Sequence, residues 1–457
     1  MSSCNSMFCL PTLVVLAALA ACTVHPPGER EERGAALQSG KSFQNRIEVR
    51  EIPPLPEHPT ADQLVEYALL SNAELEQHYW EWRSAIEQIP QDGTQTTTLN
   101  VAAGTSITHG HASWGSSTLA LSNDPMTDIK WPGKLDAAAK QSLENARATG
   151  RRFMKARYDL RNKVLSAYDD YALNAQLIRL GQSNQQLLRT TATITEAQNT
   201  VGSSGQQDVL KASNELDMAG NDIANMQSQL PAQRAAINAL LSRPADAPLP
   251  VPTELPASRP LVYEDEELVE LAAKQNPELI ALADEIRGRI EGIKLAKLQY
   301  APDFNLSIGT DLMGVTQSLL GQATIPILRR DALNAAIAQA EANLRASEAM
   351  RRQAGSDLAA QVVADLTIIR DADRQLDLFD RNILPRAQQI VNVGRSAYET
   401  GHASLLDLLD EQRSLIVIER LVANLRIARE RHLAVLESIT TCDLTSLPQT
   451  DARAVTR

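Results

Sequence analysis

The sequence predicts a mainly α-helical protein made of two structural repeats, each with a pair of strands and a long antiparallel helical hairpin. Three observations lead to this class. The two halves share segments in the same order, their helix-patterned runs are longer than a globular core needs, and short alternating segments recur at one place in each half. The elements predicted in one half can therefore be checked against those predicted in the other half.

Self-comparison of the chain shows the repeat. The segment DQLVEYALLSNAELEQ (62–77) matches EELVELAAKQNPELIA (266–281), and TVGSSGQQDVL (200–210) matches ETGHASLLDLL (399–409). The offset between the halves drifts only from 204 to 199 residues. Both halves therefore follow one plan of helix, strand pair, long helix, glycine break and helix.

The first helix of each repeat is predicted at Ala61–Gln88 and at Glu266–Leu298. Apolar and polar residues then alternate with a period of two, which predicts strand pairs within 96–127 and 303–327. The second strand of the later pair has the weaker pattern, around Leu320–Ile327. Each pair reads as a β-hairpin.

The helices that follow the strands are too long for a globular core. From Asp136 to the break at Gly202 is 66 residues, which makes a helix about 100 Å long. Its second copy begins near Asp331 and reaches Gly401. Helices of this length must pack on one another, and apolar residues seven apart supply a coiled-coil seam, as at Leu408, Leu415 and Val422.

An export signal precedes the repeats. LPTLVVLAALAAC, residues 10–22, has the length of a signal-peptide core and ends in Leu-Ala-Ala-Cys. This ending resembles the lipobox of bacterial lipoproteins, so we expect a lipid on Cys22. Because Cys4 and Cys9 leave with the signal, Cys442 has no partner for a disulfide.

Composition and motifs exclude several classes. The net charge is -12 and no run is strongly basic, which argues against a nucleic-acid partner. No Walker glycine loop or Gly-x-Ser-x-Gly motif is present, so we expect neither an enzyme nor a cofactor. His109 and His111 lack nearby cysteine or carboxylate partners, and no metal site is expected. No stretch after the signal has 18 uninterrupted apolar residues, so any membrane span must be a β-barrel.

The second half of the chain is similar to the outer membrane efflux proteins typified by TolC. The likeness rests on the order and spacing of five motifs, together with the repeat and the lipobox. The motifs are NPEL (276–279), KLAKLQYAPDFNLSIG (294–309), IPI (325–327), ILPRAQQ (383–389) and AYETGHASLLDLLDEQRSL (397–415).

The resemblance implies a fold, a location and a function. Members are homotrimers in which each subunit adds four strands to one twelve-stranded outer-membrane barrel, continued by a periplasmic α-helical tunnel. A member is the passive exit duct of a tripartite efflux or secretion system for small molecules or ions. Its partners are outer-membrane lipid, a periplasmic adaptor (membrane fusion) protein and an inner-membrane pump of the RND type.

The resemblance also assigns roles at the periplasmic tip, where each helical hairpin turns. Gly202 and Gly401 would form the tip turns, since a positive φ angle favours glycine. Asp407 and Asp410 would form carboxylate rings that gate the tunnel and select cations. The alternative is that these two aspartates lie on a solvated outer helix face.

Asp208 and Tyr398 match residues that tie neighbouring hairpins shut in the family, which we call the tip lock. The family arginine that completes this lock is replaced here by Ala403. His402 and Lys211 are the substitutes for its charge that the sequence offers. A lock without the salt bridge should open more readily.

Two other classes remain as alternatives, a lipid-anchored periplasmic coiled-coil scaffold and an adaptor protein. A scaffold does not explain the paired strands, and an adaptor needs long β-rich segments around a single hairpin. A proline-rich crossover with six prolines in eighteen residues separates the repeats. The predicted organisation is a signal peptide (1–21), a lipid-anchored tether (22–60), repeat one (61–242), the crossover (243–263), repeat two (264–441) and a tail (442–457).

Overall fold

The structure is a computed structural model that describes residues 23–95, 99–108, 111–123, 129–310 and 317–444. The predicted signal peptide, Cys22, His109, the strand-pair loops around Gly110 and Gly314, and tail residues 445–457 lie outside these ranges. Within them, no helix combines the length and apolar character needed to cross a membrane.

The helices and strands occur twice in the predicted order, which confirms the mainly α, two-repeat fold class. A helix α1 (Glu29–Ser39) comes first. Repeat one then contains α2 (Ala61–Ser71), α3 (Ala73–Gly93), β1 (Leu99–Thr108), β2 (His111–Asn123), α4 (Pro132–Thr200) and α5 (Gln206–Leu240). Repeat two contains α6 (Asp265–Gln275), α7 (Pro277–Leu298), β3 (Asp303–Thr310), β4 (Gln317–Thr324), α8 (Arg330–Leu378), a π-helical turn (Phe379–Ile383), α9 (Leu384–Glu399) and α10 (Leu405–Thr440).

The strands pair as predicted within each repeat. β1 and β2 are antiparallel, with Leu99 opposite Asn123, and β3 and β4 are antiparallel, with Asp303 opposite Thr324. The weaker partner strand begins and ends three residues earlier than the predicted 320–327. The apolar–polar alternation of this strand is weak, and a short pattern predicts that a strand is present more reliably than it predicts where the strand begins and ends.

The prediction of one unbroken first helix in each repeat was wrong. Both helices break at the asparagine of the repeated motif, Asn72 and Asn276. The Asn72 side chain accepts a hydrogen bond from the Leu75 amide (2.9 Å) and donates one to the Leu240 carbonyl (2.9 Å). Asn276 donates likewise to the Ile439 carbonyl (3.1 Å). Asn72 thus caps α3, and both asparagines tie the break to the end of their own repeat.

The long helices of the two repeats also differ. α4 runs for 69 residues without interruption, whereas the corresponding helix of repeat two contains the π-helical turn Phe379–Ile383. Pro385 follows this turn, and a proline inside a helix lacks its amide donor and collides with the carbonyl four residues before it. A wider turn accommodates the proline, and Asp380 in it pairs with Arg426 at 2.9 Å.

The chain divides into two compact units, and each takes pieces from both repeats. The first contains residues up to Lys41, His78–Phe153 and Glu278–Ala354, and the second contains the rest. In the first unit, Phe153 packs against Trp82 and Tyr79, with ring centroids 5.6 and 6.0 Å apart. A core cluster of the second unit comprises Leu268, Ala272, Val362, Leu366, Ile369, Leu433, Leu436, Ile439 and Leu444.

Part of the segment predicted as a tether is folded within the first unit. Helix α1 buries Ala36 completely. Thr23 forms an isolated β-bridge with Thr94, and the Val24 amide donates to the Gly93 carbonyl at 2.9 Å. The sequence did not predict this helix because its charged residues leave only a narrow apolar stripe.

Candidate functional site

The predicted tip lies in the second unit, where the hairpins α4–α5 and α9–α10 turn. Gly202 and Gly401 have φ angles of 75° and 76°, and each amide donates to the carbonyl three residues before it, Asn199 (3.0 Å) and Tyr398 (3.1 Å). Nothing lies within 4 Å of a Cβ built on either glycine. The backbone angle alone therefore demands glycine at both turns.

The helix that leaves the second turn is capped by Ser404 and Asp407. The Asp407 amide donates to Ser404 Oγ (3.2 Å), while the Ser404 amide and hydroxyl donate to Asp407 Oδ2 (3.2 and 2.7 Å). These hydrogen bonds from Ser404 lower the pKa of Asp407. The first repeat has Gly205 at the capping position and no side-chain cap. The Ser-x-x-Asp spacing was a readable signal for a capping box that the sequence analysis missed.

Tyr398 is buried and joins the two hairpins of the same chain. Its hydroxyl is 2.8 Å from Thr195 Oγ1, which donates in turn to the Thr191 carbonyl at 2.8 Å. Gln198 Nε2 donates to the Tyr398 carbonyl at 3.0 Å, and Gln412 Nε2 donates to Thr191 Oγ1 at 3.0 Å. The threonines and glutamines of this network carried no sequence signal, because only the folded hairpins bring them together.

Asp208, the other predicted lock residue, lies near Tyr398 but is not its hydrogen-bond partner in this chain. Burial raises the pKa of Tyr398, its hydrogen bond with Thr195 lowers it, and the charge of Asp208 raises it further. Asp208 is half-buried in the first turn of α5. The structure thus brings Asp208 and Tyr398 into one neighbourhood, with the hydroxyl engaged by Thr195.

Ala403 is half-buried and packs against an apolar cluster of the tip. His402 is exposed, with Nδ1 3.1 Å from Thr400 Oγ1. Among the ion pairs of the described residues, none involves His402 or Lys211. The structure instead pairs Arg413 of α10 with Glu215 of α5, a link between the hairpins that the sequence analysis did not identify. The apolar cluster against which Ala403 packs comprises Leu188, Ala192, Ala212, Tyr398, Leu405, Leu408 and Leu409.

The acidic pair is followed by a third carboxylate. Asp407 and Asp410 are exposed, whereas Glu411 is half-buried. Burial raises the pKa of Glu411, and the charges of Asp407 and Asp410 raise it further. Its carboxylate lies against Gly394 of α9, where an added Cβ would overlap it. The tip therefore has acidic groups in two environments, solvent and the seam between α9 and α10.

Comparison with known proteins places this geometry in a family. Residues 268–440 match the model of the family described as outer membrane efflux protein. Repeat two is thus similar in sequence to outer membrane efflux proteins. The match begins within α6, ends with α10 and includes all the residues of the second tip hairpin. A search of curated protein sequences finds no significant match.

Solved structures extend the likeness from the second repeat to most of the chain. The outer-membrane channel OprN is 17% identical, covering 89% of this chain and 93% of its own, with a TM-score of 0.74. VceC from Vibrio cholerae is 19% identical, covering 83% and 96%, with a TM-score of 0.72. The open state of the Neisseria gonorrhoeae MtrE channel is 19% identical, covering 87% and 94%, with a TM-score of 0.69. The chain therefore has the fold of outer membrane efflux channels along both repeats.

Proposed function

We propose that the protein is the outer-membrane exit duct of a tripartite efflux or secretion system, with a gate at the hairpin tip. The observation that carries the proposal is the pair of matching hairpins, which end in turns of the same backbone geometry at Gly202 and Gly401, within a chain that has the channel fold. Transport through such a duct is passive, and a pump supplies the energy.

The proposed assembly is a homotrimer. The two strand pairs among the described residues of each chain would give four strands per subunit, and three subunits would close a twelve-stranded barrel without unpaired edges. The helical hairpins would extend into the periplasm and meet an adaptor protein, which connects the duct to an inner-membrane pump of the RND type. Co-purification after crosslinking tests these partners; recovery of the duct alone would count against them.

A lipid on Cys22 is part of the proposal. Thr23 is the next residue, and it forms a β-bridge with Thr94. Thr94 is five residues before Leu99, where β1 begins. The first described residue after the proposed lipid anchor is therefore held beside the segment that leads into β1. Mass spectrometry of the N-terminal peptide from purified protein should show an acylated cysteine. An unmodified N-terminus at residue 22 would refute lipidation.

Trimer formation and conduction test the duct against a scaffold or an adaptor. The full-length protein, extracted from outer membranes in detergent, should migrate as a heat-resistant trimer on a gel and form ion-conducting channels in planar bilayers. A scaffold or an adaptor would give neither. Monomers that do not conduct would refute the duct.

The tip lock predicts the effect of a double variant. Tyr398→Phe removes the hydroxyl that bonds Thr195, and Asp208→Ala removes the nearby carboxylate. A single hydrogen bond is worth about 1 kcal/mol, so the closed state should lose one or two such contributions and single-channel conductance should rise. Thr400→Ser, an exposed change at the same turn, is the control. Conductance equal to that of the control would count against a lock at these residues.

The proposed filter predicts different effects for substitutions of Asp407 and Asp410. Asp410→Asn should reduce cation selectivity and leave the cap on α10 intact, because the Asp410 carboxylate is exposed and the cap joins Ser404 and Asp407. Asp407→Asn should reduce selectivity and also weaken the cap on α10, because a neutral amide replaces the carboxylate that accepts from Ser404. Reversal potentials in a salt gradient measure selectivity. Unchanged reversal potentials for both variants would favour the solvated outer face.

A further inference from the structure

A carboxylate occupies the inside of the second tip hairpin, where the first repeat has a small uncharged side chain. Glu411 lies against Gly394, and its Oε2 atom is buried without a hydrogen-bond partner among the described residues. The residues 199 positions earlier are Ala212 and Thr195, both buried and neutral. Gly394 leaves the space that the Glu411 carboxylate fills.

No cation balances this carboxylate in the part of the chain that the structure describes. The charges that act on it are the two aspartates of its own helix, and with burial they raise its pKa. Lys211 of α5 forms no ion pair among the described residues, with Glu411 or with any other group, and the ion pairs on the elements packed around Glu411 join other groups. On α9, Arg395 faces Glu399 at 3.9 Å; on α5, Glu215 pairs with Arg413 of α10; the α4 side chains that reach this seam, Thr191 and Thr195, are neutral.

We propose that Glu411 is a proton-operated latch of the tip. A neutral carboxyl stays in the seam over Gly394 and holds α9 and α10 together, whereas an ionised one is repelled by Asp407 and Asp410 and loosens the seam. The sign follows from the raised pKa of the folded state. The stabilising contribution is complete at low pH and is lost as the pH rises through that pKa.

The consequence for transport rests on the proposed function. Acidification would favour the closed tip, and a rise in pH would let it open more readily. The exposed aspartates do not explain such a response, because the pKa of Asp407 is lowered and its charge persists in acid. A proton-sensitive group inside the hairpin is a separate element from the charged filter.

Amide hydrogen exchange of the full-length protein in detergent tests the latch without conduction. Wild type, Glu411→Gln and the control Glu399→Gln are compared at about pH 5 and about pH 8, within each pH, so that intrinsic exchange rates cancel. Near pH 8, peptides within 391–415 should exchange about threefold faster in wild type than in Glu411→Gln. The difference should be smaller near pH 5, where more of Glu411 is neutral, and the control should follow wild type at both values.

Equal exchange in wild type and Glu411→Gln near pH 8, or the same difference at both pH values, would overturn the latch. Conductance supplies a second result. Wild-type conductance should rise between the two pH values, and that of Glu411→Gln should not. Flat conductance with the expected exchange would refute the link to opening, whereas the absence of any channel would refute the proposed function and leave the latch standing.

Discussion

Above pH 7, Asp169→Asn is expected to unfold at a higher temperature than the wild type. Asp169 lies on α4 and is only 6% exposed. Burial raises its pKa to about 7; the charges of Glu430 and Asp170 raise it as well, and those of Arg431 and Arg259 oppose the rise. The wild type must therefore bury a charge above pH 7 that asparagine does not carry.

The pH dependence gives this prediction its sign. The folded-state pKa is about 7, compared with an ordinary aspartate value of 3.8, so the wild type loses stability as the pH rises through about 7. This difference in pKa corresponds to a loss of unfolding free energy on the order of 4 kcal/mol. Melting temperatures of both proteins should agree near pH 4 and diverge towards pH 8.

Asp170→Asn is the matched control for this experiment. Asp170 is the next residue, is exposed and forms an ion pair with Arg431. Loss of an exposed ion pair costs about 0 to 1 kcal/mol, so this variant should not become more stable above pH 7. Parallel melting curves for wild type and Asp169→Asn at all pH values would contradict the prediction.

Gly394→Ala is expected to destabilise the tip. The added methyl group would overlap the end of the flexible Glu411 side chain, so the carboxylate must leave the seam, at the low end of an overpacking cost, about 1 kcal/mol. Proteolysis or amide exchange within 391–415 should accelerate. Glu411→Ala should rescue the variant, because it removes the side chain that the methyl group meets, and the double-mutant cycle should show a favourable coupling.

Gly355→Ala separates this clash from the general effect of alanine in a helix. Gly355 lies in α8, and no atom lies within 4 Å of a Cβ built on it. Alanine there should stabilise the helix by up to about 1 kcal/mol. If Gly394→Ala behaved like Gly355→Ala, the close approach of Glu411 would be disproved.

The sequence predicted features that the backbone dictates locally. Gly202 and Gly401 could be placed at turns because the φ angle required there leaves little choice of residue. The strand pairs and long helices followed from periodicity repeated in both halves. The breaks at Asn72 and Asn276 were missed, because an asparagine within a helical pattern becomes a break only when a distant carbonyl accepts its side-chain hydrogen bond.

The contacts at the tip could not be predicted from the sequence for the same reason. The Thr195–Tyr398 hydrogen bond joins residues 203 positions apart, and no pattern along the chain pairs them. Glu411 looked like one more acid on a charged helix until Gly394 proved to lie against it. A pH-sensitive contact of this kind depends on distance and burial, which only the packed hairpin defines.

The two compact units have a consequence for how the protein can be divided. Each unit draws on both repeats, so a fragment that ends in the proline-rich crossover would leave both units incomplete. The repeats resemble each other in plan but are not modules that fold alone. Swapping one repeat between relatives would interrupt two cores at once, whereas exchanging a whole tip, both hairpin ends together, would cut fewer packed seams.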